Sequence, residues 1–98
     1  MSERARLPNR RGAELIDFEY AGRKWTACIG RFEDGRPAEV FIEGPKDSPF
    51  LALARDAAIL TSIALQFGAP LAVVRHALAG RDEGPLAAAL ALVDGGER

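Results

Sequence analysis

Few residues in this 98-residue chain are of types that do chemistry, and their spacing limits what they can do. Cys28 is the only cysteine and His76 the only histidine. A structural zinc site takes four ligands, so this pair cannot make one. A Cys–His pair can activate a thiolate, but a reactive thiol needs a positive, partly open setting. Lys24 stands four positions from Cys28 on the same strand face, about 13 Å away when extended, which is too far to supply that charge. Cys28 therefore reads as a small packing residue and His76 as an ordinary helical residue beside Arg75.

Charged residues form three further groups. Asp17, Glu19, Glu39 and Glu43 alternate along strand-like stretches and share one face. Two neighbouring carboxylates can do acid–base work or hold a metal. A solvated face balanced by Lys24 and Arg31 explains them more simply. Arg4, Arg6, Arg10 and Arg11 crowd residues 1–12, where no apolar periodicity exists. This stretch reads as a flexible basic arm, first a solvated tail and second a clamp on phosphate or on an acidic partner. No aromatic residue interleaves with these arginines, so stacking on bases is unsupported. Lys46-Asp47-Ser48 precedes a helix, where free N–H groups attract anions. Lys46 and Ser48 would assist an anion there, Asp47 opposes it, and Pro49 removes a donor. No glycine-rich phosphate-binding motif occurs anywhere.

The elements that position these residues are well marked. Ala13 to Tyr20 alternates, with Ile16, Phe18 and Tyr20 on one face and Leu15, Asp17 and Glu19 on the other. Ala21-Gly22 makes a tight turn. Arg23 to Phe32 alternates again, with Trp25, Ala27 and Ile29 inward and Lys24, Thr26, Cys28 and Gly30 outward. Asp34-Gly35 signals a second hairpin, and Pro37 opens a third strand with Ala38, Val40 and Ile42 inward. A long helix follows from Ser48 to Phe67. Ser48 suits its cap, Pro49 its first turn, and Gly68 with Pro70 its end. Leu53, Ala57, Leu60, Ala64 and Phe67 form its apolar stripe, widened by Ile59 and Ile63; only Arg55, Asp56 and Gln66 are clearly polar, so the helix is expected to be buried on more than one side. Two shorter helices come next. Leu71, Val74 and Leu78 line the first, which Gly80 ends; Leu86, Leu90 and Val93 line the second, from Leu86 to Val93.

The expected fold is α+β: a three-stranded antiparallel meander covered by the long helix, with two shorter helices beside or behind it, in the order βββααα. Residues 1–12 form the arm, 13–93 one domain, and 94–98 a frayed tail. The outer sheet face keeps Leu15, Cys28 and Phe41, more apolar than solvent requires. These residues mark an interface for a second copy or another protein. A net charge of −1 exerts no general pull on nucleic acid or membrane. A single cysteine allows no internal disulfide and suits a cytoplasmic location. No apolar run approaches the roughly 20 residues that span a bilayer.

Three stretches together resemble the TSCPD domain, a small module of cobalamin-dependent ribonucleotide reductases. They are Trp25 to Gly30, Asp34 to Ile42, and Ala58 to Gly68 continued by Pro70-Leu71 and Arg75 to Leu78. The resemblance covers residues 14–80. It implies a non-catalytic binding or assembly module tied to deoxyribonucleotide synthesis, here as a short stand-alone protein, with a second copy or a reductase subunit as partner. Reductase-attached versions carry further cysteines near the domain end. Gly80-Arg81-Asp82-Glu83-Gly84 has none, so metal binding, thiol exchange and cofactors are not carried over. The alternatives are a small nucleic-acid or nucleotide binder using Arg4, Arg6, Arg10, Arg11, Arg23 and Lys24, and, last, a metal- or thiol-dependent enzyme centred on Cys28, His76 and the acidic face.

Overall fold

The computed structural model describes Arg4 and residues 13–80 and 83–93. The remainder of the expected arm and the expected tail lie outside the described residues. Three strands come first: β1 (Ala13–Tyr20), β2 (Arg23–Arg31) and β3 (Pro37–Glu43). Three helices follow: α1 (Leu51–Gln66), α2 (Leu71–Leu78) and α3 (Pro85–Leu90). The strands form one antiparallel sheet in sequence order. The expected α+β class and βββααα order are both present.

The strand faces divide as the alternation requires. Phe18 pairs with Trp25, Ile16 with Ala27, Ala27 with Ile42, and Ile29 with Val40. These rows make the inner face, on which Ala27, Ile29 and Val40 are fully buried. The first hairpin turns through Ala21 and Gly22, both at positive φ (53° and 76°). That is the geometry of the two-residue turn whose twist suits antiparallel strands. The second turns at Gly35 (φ 94°), where Gly35 N–H donates to the Phe32 carbonyl at 2.9 Å. Trp25 packs edge-on to Tyr20, with ring centroids 6.1 Å apart. Its indole Nε1 is buried with no hydrogen-bond partner among the described residues.

Helix α1 is where the structure departs from the sequence expectation. Its buried residues are Leu51, Ala54, Ala58, Thr61, Ser62, Leu65 and Gln66. The expected stripe is turned outward: Leu53 is 69% exposed, Leu60 67% and Phe67 37%. The reason lies at β3. As an edge strand, β3 offers backbone groups with no partner strand. Helix α1 supplies side chains to them. The Ser62 hydroxyl accepts from the Val40 N–H at 2.8 Å and sits 3.1 Å from the Val40 carbonyl. Gln66 Nε2 donates to the Ala38 carbonyl at 2.9 Å. Small residues at Ala54 and Ala58 let the helix approach closely. With the helix docked this way, these β3 groups are buried and paired; left buried without partners, each would cost about 1–3 kcal/mol.

The helix ends behave more nearly as expected. Ser48 Oγ accepts the Phe50 N–H at 3.1 Å, so it caps the turn that leads into α1. Regular helix begins at Leu51, with Phe50 in the capping position and no side-chain cap there. At the other end Gly68 takes φ 107°. Ala69 N–H donates to the Ala64 carbonyl and Gly68 N–H to the Leu65 carbonyl, at 3.0 and 3.1 Å. This paired closure is the one that a left-handed glycine permits.

Helix α3 lies beside α1, as expected, and shares the apolar sheet face with it by packing on β1 and β2. Leu86, Leu90 and Val93 are buried there, although regular helix ends at Leu90. Helix α2 packs against α3, with Leu71 buried, Val74 half-buried and Leu78 more open. Arg75 fastens the two, donating from Nε to the Leu90 carbonyl at 2.9 Å and from Nη2 to the Val93 carbonyl.

Candidate interaction surfaces

The back of the sheet is built by register. Leu15 pairs with Cys28 and Cys28 with Phe41, so the three stand in one row across all three strands. Leu15 is 70% exposed, Phe41 49%, and Cys28 lies half-buried between them. The next row is Asp17, Thr26 and Glu43, and Glu19 faces Lys24 beyond it. Thr26 Oγ1 donates to Asp17 at 2.8 Å, and Arg55 of α1 pairs with Glu43 at 2.6 Å. An apolar bar thus sits beside polar rows in which Asp17 and Glu43 already hold partners. Such a surface can bind another protein's apolar side chain while its polar rows set orientation.

The same geometry separates the residues that chemistry would need together. Cys28 lies on the outer sheet face, whereas His76 lies exposed on α2, which packs over the inner face through α3. No group of three or more His, Cys, Asp or Glu residues able to hold a metal occurs among the described residues. His76 does border a hollow of about 370 Å³ with Arg75, Leu78 and Glu83. The Arg75 guanidinium there is committed to the end of α3.

At the start of α1, Lys46 is exposed and the Ser48 hydroxyl is occupied by the Phe50 N–H. Arg23 pairs with Asp47 at 3.0 Å. That hydrogen bond, reinforced by the guanidinium charge, holds the Asp47 carboxyl below its usual range. A second carboxylate, Asp34, is lowered by the Arg36 backbone N–H and then by its side chain. Of the proposed nucleic-acid set, Arg4, Arg23 and Lys24 are described. Arg4 Nε donates to Gln66 Oε1, Arg23 is engaged with Asp47, and Lys24 faces outward opposite Glu19. Arg6, Arg10 and Arg11 lie outside the described residues.

One surface was missed by sequence reasoning: the outward stripe of α1. Phe50 and Leu53 at its start border an apolar groove of about 330 Å³, with Tyr20, Leu78, Pro85 and Leu86 across from them. The signal was present. Ala54, Ala58, Ser62 and Gln66 recur every four residues, the spacing of small and polar groups on a face that approaches backbone.

No protein-family model matches the chain, and no solved structure matches it significantly. Curated proteins do match, among them three described as vitamin B12-dependent ribonucleotide reductases. The Rhodopirellula baltica protein is 38% identical over 72 residues, 72% of this chain and 7% of that protein. The Agrobacterium fabrum protein is 40% identical over 70 residues, 70% of this chain and 6% of its own length. The Bradyrhizobium diazoefficiens protein is 35% identical over 72 residues, 72% of this chain and 6% of its own length. The chain therefore spans less than a tenth of the relatives it matches. Some seventy of its residues are homologous to one short segment of the vitamin B12-dependent ribonucleotide reductases.

Proposed function

We propose that the chain is a non-catalytic binding or assembly module of TSCPD type, acting in the cytoplasm in connection with ribonucleotide reduction. Its working surface is the outer sheet face, with the basic arm as an auxiliary contact. Its partner is a reductase subunit or a second copy of itself. The observation that carries this reading is the extent of the match: 70 to 72 residues that correspond to only 6–7% of a reductase. An eight-stranded catalytic barrel alone typically takes about 250 residues, more than this chain has, which supports reading the shared part as accessory. The exposed Leu15–Cys28–Phe41 row gives that portion a surface on which to bind.

A tagged full chain, expressed in its native cell and recovered with its partners, tests this. The expected result is recovery of a ribonucleotide reductase subunit, with no ribonucleotide reduction by the purified chain alone. Reduction by the chain alone would overturn the reading. So would recovery of nucleic acid that disappears when residues 1–12 are removed, with no reductase present.

A further inference from the structure

We infer that the outward face of α1 pairs with the same face of a second copy, antiparallel, across a two-fold axis. This deepens the assembly reading above and rests on it for its biological purpose. Phe50, Leu53, Ala57, Leu60, Ala64 and Phe67 recur at alternating spacings of three and four residues. That is the repeat of a helix seam that a partner helix can follow. Phe50, Leu53, Leu60 and Phe67 are exposed, and Ala57 and Ala64 are half-buried. The seam carries no charge. Arg55 is turned to Glu43 of β3, and Asp56 lies to one side.

The seam is complementary to itself in one orientation. In an antiparallel pair, the two kinds of seam position face one another. With the axis beside residues 58 and 59, Leu53 of one copy meets Ala64 of the other, and Ala57 meets Leu60. Each leucine then fills the space over an alanine, and Phe50 lies against Phe67 of the second copy. Both helices present the same patch, as a two-fold interface requires. A parallel pair would set alanine against alanine and leave gaps.

The exposed seam supports a second copy as occupant. Leu53, Leu60, Phe50 and Phe67 leave 69%, 67%, 44% and 37% of their surfaces exposed, and a second copy paired along the seam covers all four. The outer sheet face is the weaker self-pairing surface. Its apolar row is only three residues wide, and Asp17, Glu19, Glu39 and Glu43 share that face. Back-to-back pairing would bring the acids of two copies together. Pairing through α1 leaves that sheet face open to a different protein.

Sedimentation velocity on the full chain at tens of micromolar tests the inference. The expected result is a dimer that Leu53→Glu/Leu60→Glu converts to a monomer with unchanged circular dichroism and melting, since both side chains are exposed. Leu15→Glu/Phe41→Glu should remain dimeric. In a Cys28→Ala background, a mixture of Phe50→Cys and Phe67→Cys proteins should form a disulfide-linked dimer on mild oxidation that neither forms alone. A monomeric wild type, a folded Leu53→Glu/Leu60→Glu dimer, or a disulfide formed by Phe50→Cys protein alone would each overturn it. Reductase recovery, scored separately on the monomeric variant, distinguishes failure of this interface from failure of the functional reading.

Discussion

A methyl group placed on Gly44 would fall 2.3 Å from the Trp25 ring, deep inside contact distance. Trp25 is 2% exposed and has nowhere to retreat. Gly44→Ala should therefore destabilise the fold by about 1–3 kcal/mol, the usual cost of overpacking; urea unfolding will measure it, and an unchanged midpoint would contradict the packing. Ala21 poses the opposite case. It holds a positive φ without glycine's freedom, so Ala21→Gly should stabilise by up to about 1 kcal/mol, since a left-handed conformation costs a residue with a Cβ about that much. A lower melting temperature would count against this turn geometry. At Asp47, the lowered carboxyl pKa means that its contribution is complete above the ordinary aspartate range and is lost as pH falls through the lowered value. Arg23→Ala should return the Asp47 titration toward its ordinary position in an NMR pH series; no movement would contradict the assigned partner. Turns of this kind were legible beforehand, because Asp-Gly and Ala-Gly between alternating strands have few other readings. The Gly44–Trp25 contact was not, because nothing local to Gly44 reveals which ring folds over it.

At the scale of elements, the strands were readable because period-two alternation fixes a face, and the fixed faces fix the register. The outer row of Leu15, Cys28 and Phe41 follows from that alternation alone. Helix α1 was readable in position but not in rotation. Both of its faces are apolar enough to bury, and the buried one carries Ser62 and Gln66, which bond to the backbone of β3, an element outside the helix. Ser62→Ala should cost about 1–3 kcal/mol, more than an exposed serine would, because the buried Val40 N–H loses its acceptor. An effect below a few tenths of a kcal/mol in denaturant unfolding would contradict the edge-docking account. Helix α3 stands beside α1 as expected, but its direct contact with β1 and β2 was not legible. Its stripe of Leu86, Leu90 and Val93 says that it packs, not on what. Arg75 closes the end of α3 through the Leu90 and Val93 carbonyls. Arg75→Ala should speed hydrogen exchange around α3 while leaving the strands protected.

At the scale of the molecule, the sheet and helices assign different tasks to different sides. The inner sheet face holds the core, shared between α1 and α3. The outer face carries a narrow apolar row among acidic residues, and α1 carries the exposed apolar stripe of Leu53, Leu60 and Phe67. None of the described helices is long and apolar enough to cross a membrane. The homologous segment is a small fraction of the reductases it matches, and here it brings two surfaces and no assembled catalytic group among the described residues. The central claim is that the outer sheet face binds a reductase. Biolayer interferometry of the full chain against the ribonucleotide reductase of its own cell tests it most directly. The account predicts saturable binding that Leu15→Glu/Phe41→Glu abolishes and Leu53→Glu/Leu60→Glu leaves in place. No binding, or equal binding by the sheet-face variant, would contradict it.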